Sequence, residues 1–245
     1  MSDHWPNNRY EMKYFLPQGA EDDVRQMIQP HVVHDPHARD GSGYRYIVSS
    51  LYFDTPFLDY YYEKLDGVKM RKKVRIRCYD PESLPERAFL EIKRRFNNKI
   101  YKERCPMNTQ LLPAVIDEAD GTDFSAALPH ARRRTLSRFH YLIRMDDLHP
   151  TILIAYDREA FVGRDDDRIR VTLDLDVRSR LCNGIDDFQG WREMKRIIPR
   201  GTILELKFDD RMPFWLVRMV RKLGLRAQSI SKYCHAIEAW HGLPG

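Results

Sequence analysis

Ionic side chains recur at every second residue in a series of strand-like segments, and this pattern restricts the fold more than anything else in the chain. In Arg9-Tyr10-Glu11-Met12-Lys13 the ions take one side of an extended backbone, and Tyr10 and Met12 take the other. Val74-Arg75-Ile76-Arg77 repeats the arrangement, with Arg71 and Lys73 on the same side. Leu90-Glu91-Ile92-Lys93 does so again, followed by Lys102 and Arg104. Tyr156-Asp157-Arg158, the run Arg168-Ile169-Arg170-Val171-Thr172-Leu173-Asp174, and Leu204-Glu205-Leu206-Lys207-Phe208 complete the set. One such strand is an ordinary half-solvated strand. A repeated series asks for a common use of the ionic face.

Period two is strongest over Arg9 to Phe15, Tyr46 to Asp54, Lys69 to Tyr79, Ala88 to Arg95, Lys99 to Cys105, Ile152 to Phe161, Arg168 to Val177 and Thr202 to Asp209. Asn97-Asn98 and the stretch Gly163 to Asp167 read as hairpin turns. Helical pattern is expected over Glu21 to Gln29, Thr109 to Ala119, Ala131 to Asp147, Trp191 to Ile197, Phe214 to Leu223 and Ser231 to Trp240. The Phe214 helix is expected to bury Phe214, Val217, Val220 and Leu223. No linker or repeat interrupts the plan, so residues 1–245 read as one α+β domain.

The apolar stripes of these helices need an apolar surface, and the strands offer only one. Helices on that side leave the ions on the opposite face. About eight antiparallel strands can close into a barrel, which would turn the ionic face inward. Unpaired charges there would be costly, and a threaded polyanion would neutralise them.

The excess of 41 Lys and Arg over 36 Asp and Glu is only +5, too mild for coating nucleic acid, and acids are interleaved with the basic residues. No apolar run reaches the roughly 20 residues of a membrane helix. The N-terminus has no signal-peptide pattern, and the four scattered cysteines form no disulfide or zinc framework. A soluble cytoplasmic protein is expected. His31-Val32-Val33-His34-Asp35-Pro36-His37 reads as a solvated loop rather than a metal tract. Tyr60-Tyr61-Tyr62 and Trp191 read as core or edge aromatics, with base stacking as the alternative.

At these residues the chain resembles the VTC-type polyphosphate polymerase domain, a branch of the triphosphate tunnel metalloenzymes. The likeness runs from about Arg9 to Glu238. It is carried in order by Arg9-x-Glu11-x-Lys13-Tyr14, Ser50-Leu51-Tyr52-Phe53-Asp54-Thr55, Arg75-Ile76-Arg77, Leu90-Glu91-Ile92-Lys93 and Lys99-x-x-Lys102. Tyr156-x-Arg158-x-Ala160-Phe161, the Arg168 to Asp174 run, Leu204-Glu205-Leu206-Lys207 and Ser231-Lys232-Tyr233 follow. The resemblance implies a closed antiparallel β-barrel with helices outside, and a lumen that grips ATP and inorganic polyphosphate.

It also implies roles. Lys13, Arg75, Arg77, Lys93, Arg158, Arg170 and Lys232 would grip the reacting phosphates, and Lys102, Lys99 and Arg9 would extend the substrate site, to which Lys207 is added only from its strand parity with Glu205. Glu205 would hold a divalent ion, Mn2+ or Mg2+. Glu11, Glu91 and Asp174 share its face, either as further metal ligands or as partners that position the cations, and Asp176 is read onto the same face as Asp174.

Hydrolytic relatives typically begin Glu-x-Glu-x-Lys. Here Arg9 replaces the first glutamate, which favours transfer of the ATP γ-phosphoryl group to a polyphosphate end over hydrolysis. A triphosphatase and a non-catalytic polyphosphate-binding module are the alternatives. Eukaryotic relatives add membrane helices, so a membrane protein is a possible partner, while this chain itself is not expected to insert.

Overall fold

A computed structural model describes residues 9–36, 38, 44–80, 87–97, 99–117, 129–182, 184, 193–198 and 201–243. All eight expected strands form: β1 (Arg9–Pro17), β3 (Arg45–Asp54), β4 (Met70–Tyr79), β5 (Arg87–Phe96), β6 (Lys99–Asn108), β7 (His149–Gly163), β8 (Arg170–Leu181) and β10 (Gly201–Asp209). Two short strands join them, β2 (Val32–His34) and β9 (Lys195–Arg196). The helices are α1 (Glu21–Ile28), α2 (Asp59–Leu65), α3 (Leu112–Asp117), α4 (His130–Met145), α5 (Phe214–Lys222) and α6 (Lys232–His241).

The turns follow local chemistry. β5 and β6 pair from Arg87↔Asn108 to Phe96↔Lys99, and Asn97 takes a positive φ of 52°, which asparagine tolerates better than most residues. Asn98 lies outside the described residues. Between β7 and β8, a Cβ on Gly163 would stand 2.4 Å from the Asp166 carbonyl oxygen, so this hairpin needs glycine.

The strands form one antiparallel sheet in the order β1-β10-β8-β7-β3-β4-β5-β6, with β2 on β7 and β9 on β8. This corrects the closed eight-stranded barrel. Closure would require β1 to pair with β6, yet these are the two ends of the strand order. The edge of β1 meets a loop instead, where the Gln228 amide donates to the Lys13 carbonyl at 2.8 Å. Alternation assigns side chains to faces, but it says nothing about what the terminal strands bond to.

The chain divides into two compact units. The first comprises Met1–Tyr46, Tyr156–Val177 and Ile198–Ser231; the second comprises Ile47–Ala155, Arg178–Ile197 and Lys232–Gly245. In the first, Tyr14, Leu16, Val171, Leu173, Leu204 and Leu206 of the strands pack under Val24 and Ile28 of α1 and Leu216 and Met219 of α5. In the second, Val74, Ile76, Leu90, Ile92 and Cys105 pack under Leu136, Phe139 and Leu142 of α4 and Tyr60 of α2. Each unit therefore has the expected division, with apolar residues under helices and ions on the other face.

Several details differ from expectation. α5 buries Leu216 and Met219, packs the expected Val220 and Leu223 partly against the same core, and leaves Phe214 80% exposed. The consecutive Phe214-Trp215-Leu216-Val217 run offers two apolar stripes, and the core takes the one through Leu216. Residues 195–196 form β9 rather than a helical turn, while Trp191 lies outside the described residues, as do residues 118 and 119 of the expected third helix. The His31 tract is not a solvated loop: Val32–His34 pair with β7, His34 stacks on Tyr44 at 3.7 Å, and Asp35 is buried. His37 lies outside the described residues.

α2 begins after Leu58, whose φ is 60°. Its first amide, that of Asp59, donates to Thr55 Oγ1 at 3.1 Å, and the next two, Tyr60 and Tyr61, donate to buried Asp54 at 2.9 and 3.1 Å, which also accepts from the Thr55 amide at 2.8 Å. Asp54 also accepts from the Tyr233 hydroxyl, tying α6 to the same carboxylate. Among the described residues no helix is long and apolar enough to cross a membrane.

Candidate functional site

In the second unit the ionic face is a short ladder across four strands. Tyr52 on β3 lies opposite Arg75 on β4, Arg75 opposite Glu91 on β5, and Glu91 opposite Arg104 on β6. Glu91, whose side chain is only 2% exposed, gathers the cations: Arg75 at 2.6 Å, Lys102 at 3.1 Å, Arg104 at 3.3 Å and Arg77 at 3.9 Å. Burial works against its charge, but Arg75, Arg77 and Lys102 outweigh burial and hold the carboxyl far below the usual carboxylate range. Arg77 is further fixed by donating to Ser50 Oγ at 3.0 Å, and Arg75 by donating to Tyr52 Oη at 2.8 Å.

Beside this ladder runs a row of like charges. Lys73 lies opposite Lys93, and Lys93 opposite Lys102. Burial, Arg75 and Arg77 press Lys102 below its ordinary value against the pull of Glu91. Facing lysines repel across strands. Lys232 belongs to this unit as the first residue of α6. Lys99 opens β6 opposite Phe96; its side chain lies outside the described residues.

The ionic face of the first unit is of another kind, because across β1 and β10 its cations face carboxylates. Lys13 lies opposite Glu205, Glu11 opposite Lys207, and Arg9 opposite Asp209, while Lys207 lies opposite Arg170. Lys13 meets Glu11 at 3.1 Å and Lys207 meets Glu205 at 2.7 Å. Arg158 grips Asp174 with two bonds of 2.6 and 2.8 Å and stands 3.8 Å from Glu205. Arg170 pairs with Asp35 at 3.0 Å. Burial disfavours the charge of Arg158, yet Asp174 and its neighbours raise it well above its ordinary value. Lys13 behaves likewise, with Glu205 and Glu11 overcoming burial.

Thus Arg75, Arg77, Glu91, Lys93 and Lys102 come together in one unit. Lys13, Arg158, Asp174, Glu205, Lys207, Glu11 and Arg170 come together in the other. Sequence reasoning missed Tyr52, Ser50 and Asp35; the first two share strand parity with a charged row, which was the available signal. Asp176 takes a positive φ of 47° within β8. A cavity of about 1030 Å³ in the first unit is lined by Arg25, Arg45, Phe161 and Glu159; Phe161 belongs to the apolar core beneath α1, so this cavity is not on the ionic face.

Among the described residues no group of three His, Cys, Asp or Glu side chains is placed to hold a metal ion. Glu91 is committed to four cations and Asp174 to Arg158. A cage of protein ligands alone does not fit. Glu205 is itself paired with Lys207 at 2.7 Å and stands 3.8 Å from Arg158, so a divalent ion there would need substrate phosphate oxygens and water as its other ligands.

No curated protein matches the chain. Among solved structures it is similar to the PH1819 protein of Pyrococcus horikoshii OT3, with 13% identity, a TM-score of 0.47, and coverage of 94% of this chain and 99% of that one. It is also similar to a proposed adenylate cyclase from Vibrio parahaemolyticus, with 13% identity, a TM-score of 0.44, and coverage of 93% and 96%. The model of the VTC domain matches residues 8–241. That match takes in every strand and helix on which the two ionic faces are built, and the chain belongs to the VTC domain family.

Proposed function

We propose that this chain is a polyphosphate polymerase that transfers the γ-phosphoryl group of ATP to the end of a growing polyphosphate. The observation that carries the reading is the ladder around Glu91, where Arg75, Arg77, Lys102 and Arg104 converge on one carboxylate beside the Lys73, Lys93 and Lys102 row. A surplus of cations on rigid strands suits a chain of phosphates. Arginine adds a planar fork that binds phosphate oxygens two at a time and stays charged at any working pH.

In the transfer, an oxygen of the terminal phosphate attacks Pγ, the bond from Pγ to the β–γ bridging oxygen breaks, and ADP leaves with the electron pair. This in-line displacement needs alignment and charge neutralisation above all. The nucleophile is already anionic, so no general base is required. Arg75 and Arg77 would neutralise the transferring group, with Lys93 and Lys102 steadying the chain beside it. Lys13, Arg158, Arg170 and Lys207 would serve phosphates on the other ionic face. Glu205 would share a divalent ion with phosphate oxygens, and that ion would supply further charge neutralisation. Arg9, in place of the glutamate typical of hydrolytic relatives, supports synthesis.

Incubating purified protein with ATP and Mn2+ and resolving the products on a polyphosphate-stained gel tests this. Chains that lengthen as ADP accumulates are expected; free phosphate as the sole product overturns the polymerase reading in favour of a triphosphatase. Glu205→Gln is expected to lose turnover while still binding polyphosphate. Wild-type protein that binds polyphosphate but never turns over ATP would be a binding module.

A further inference from the structure

Tyr52 makes a contact that a simple cation site would not need. The residue is 7% exposed on the ionic face of the second unit, and its ring stacks on Tyr233 with centroids 5.2 Å apart. Its hydroxyl is the acceptor from Arg75 Nη1 at 2.8 Å, and the Arg75 guanidinium carbon lies 5.6 Å from the ring centre. The neighbouring Tyr233 is used in the opposite sense, donating to Asp54. Two stacked phenols thus face opposite charges.

The groups around Tyr52 come from each element packed on it. β4 brings Lys73, Arg75 and Arg77, and β5 brings Glu91, which lies beyond Arg75 and is bonded to it at 2.7 Å. Its own strand contributes Asp54, and α6 contributes Tyr233, whose proton is committed to that aspartate, with Lys232 one residue before it. Residues 152–155 of β7, the strand beside β3, are Ile, Leu, Ile and Ala. Three cations therefore face the hydroxyl, and Asp54, the carboxylate on its own strand, is occupied by Tyr233.

We propose that Tyr52 is the proton carrier of the phosphate site: the cations around its hydroxyl favour its ionised form, and that form takes up a proton from solvent when a polyanion docks on Arg75, Arg77 and Lys73. The incoming phosphate takes over the negative charge that the phenolate had supplied, and the new O–H bond forms at Oη with a proton from water or buffer. Burial opposes the phenolate, but Arg75, Arg77 and Lys73 outweigh it and draw the group down to about 7. This deepens the polyphosphate reading of the same residues and rests on it.

The test is a near-ultraviolet titration of the tyrosinate band from about pH 6 to pH 9, bracketing a shifted phenol well below the ordinary tyrosine range. It is run on wild type and Tyr52→Phe, with and without saturating inorganic triphosphate, and calorimetry reports binding of the same probe. Tyr79 is also lowered, by Arg77 and Arg104 against burial, so the variant assigns the signal. A band with a midpoint near neutrality is expected in wild type and absent in Tyr52→Phe, and triphosphate should move that midpoint up by about one unit or more. A band that survives in Tyr52→Phe overturns the proposal, as does a midpoint that stays put while calorimetry shows triphosphate bound. Triphosphate that does not bind at all overturns the polyphosphate reading itself, and the coupling with it. The wild-type titration with and without triphosphate decides the coupling even should Tyr52→Phe fold poorly.

Discussion

Glu91 shows how one buried anion can organise a basic site. Its side chain is 2% exposed between Arg75, Arg77, Lys102 and Arg104, and removing its charge leaves those cations facing each other. Glu91→Gln is expected to lower stability by about 3–5 kcal/mol near pH 7, the usual result of breaking a buried ion pair from one side. The pH dependence follows from the direction of the shift. A carboxyl held below its ordinary 4.5 stabilises the fold at pH values above that figure and ceases to as acidification protonates it. Thermal melts of the two proteins should differ most near neutrality and converge as pH falls below about 4.5; a constant gap down to acid pH would refute the assignment.

At the scale of elements, two arrangements carry opposite lessons. The Lys73, Lys93 and Lys102 row across β4, β5 and β6 sets like charges opposite one another, at a cost of about 0.2–1 kcal/mol per pair. Lys93→Gln is expected to weaken polyphosphate binding by about tenfold, a loss of roughly 1.4 kcal/mol, as read by fluorescence anisotropy with labelled polyphosphate. Asp54 is the reverse case, a residue of stability. It accepts from three backbone amides around the start of α2 and from Tyr233 of α6. Asp54→Ala strands those donors at about 1–3 kcal/mol each, so urea unfolding should show a loss of several kcal/mol. The long strands were readable from period two. β2 and β9, of three and two residues, are too short to show a period, and α2 starts from a left-handed Leu58 and a remote aspartate rather than from a neighbouring cap.

For the whole molecule, the formal charge of +5 conceals an uneven distribution, with cations facing carboxylates across β1 and β10 on the first ionic face and a cation surplus on the second. Polyphosphate binding should therefore weaken at least about tenfold between low and high physiological salt, since each phosphate contact releases counterions. Hydrogen exchange should show polyphosphate protecting β4, β5 and β6 more than β1 and β10; equal protection, or an affinity indifferent to salt, would place the polyanion elsewhere. Residue parity exposed both ionic faces, Arg75 and Arg77 among them, because opposite sides of a pleat are a local property. It could not show that β1 and β6 end the sheet, because strand closure depends on bonds between segments far apart in the chain. Those two ends are also guarded. A loop amide occupies the Lys13 carbonyl on β1. β6 presents Pro106, which has no N–H to offer, beside Lys102 and Arg104, and both devices discourage intermolecular strand addition. A sheet left unsealed in this way can be crowded against copies of itself without templating fibrils.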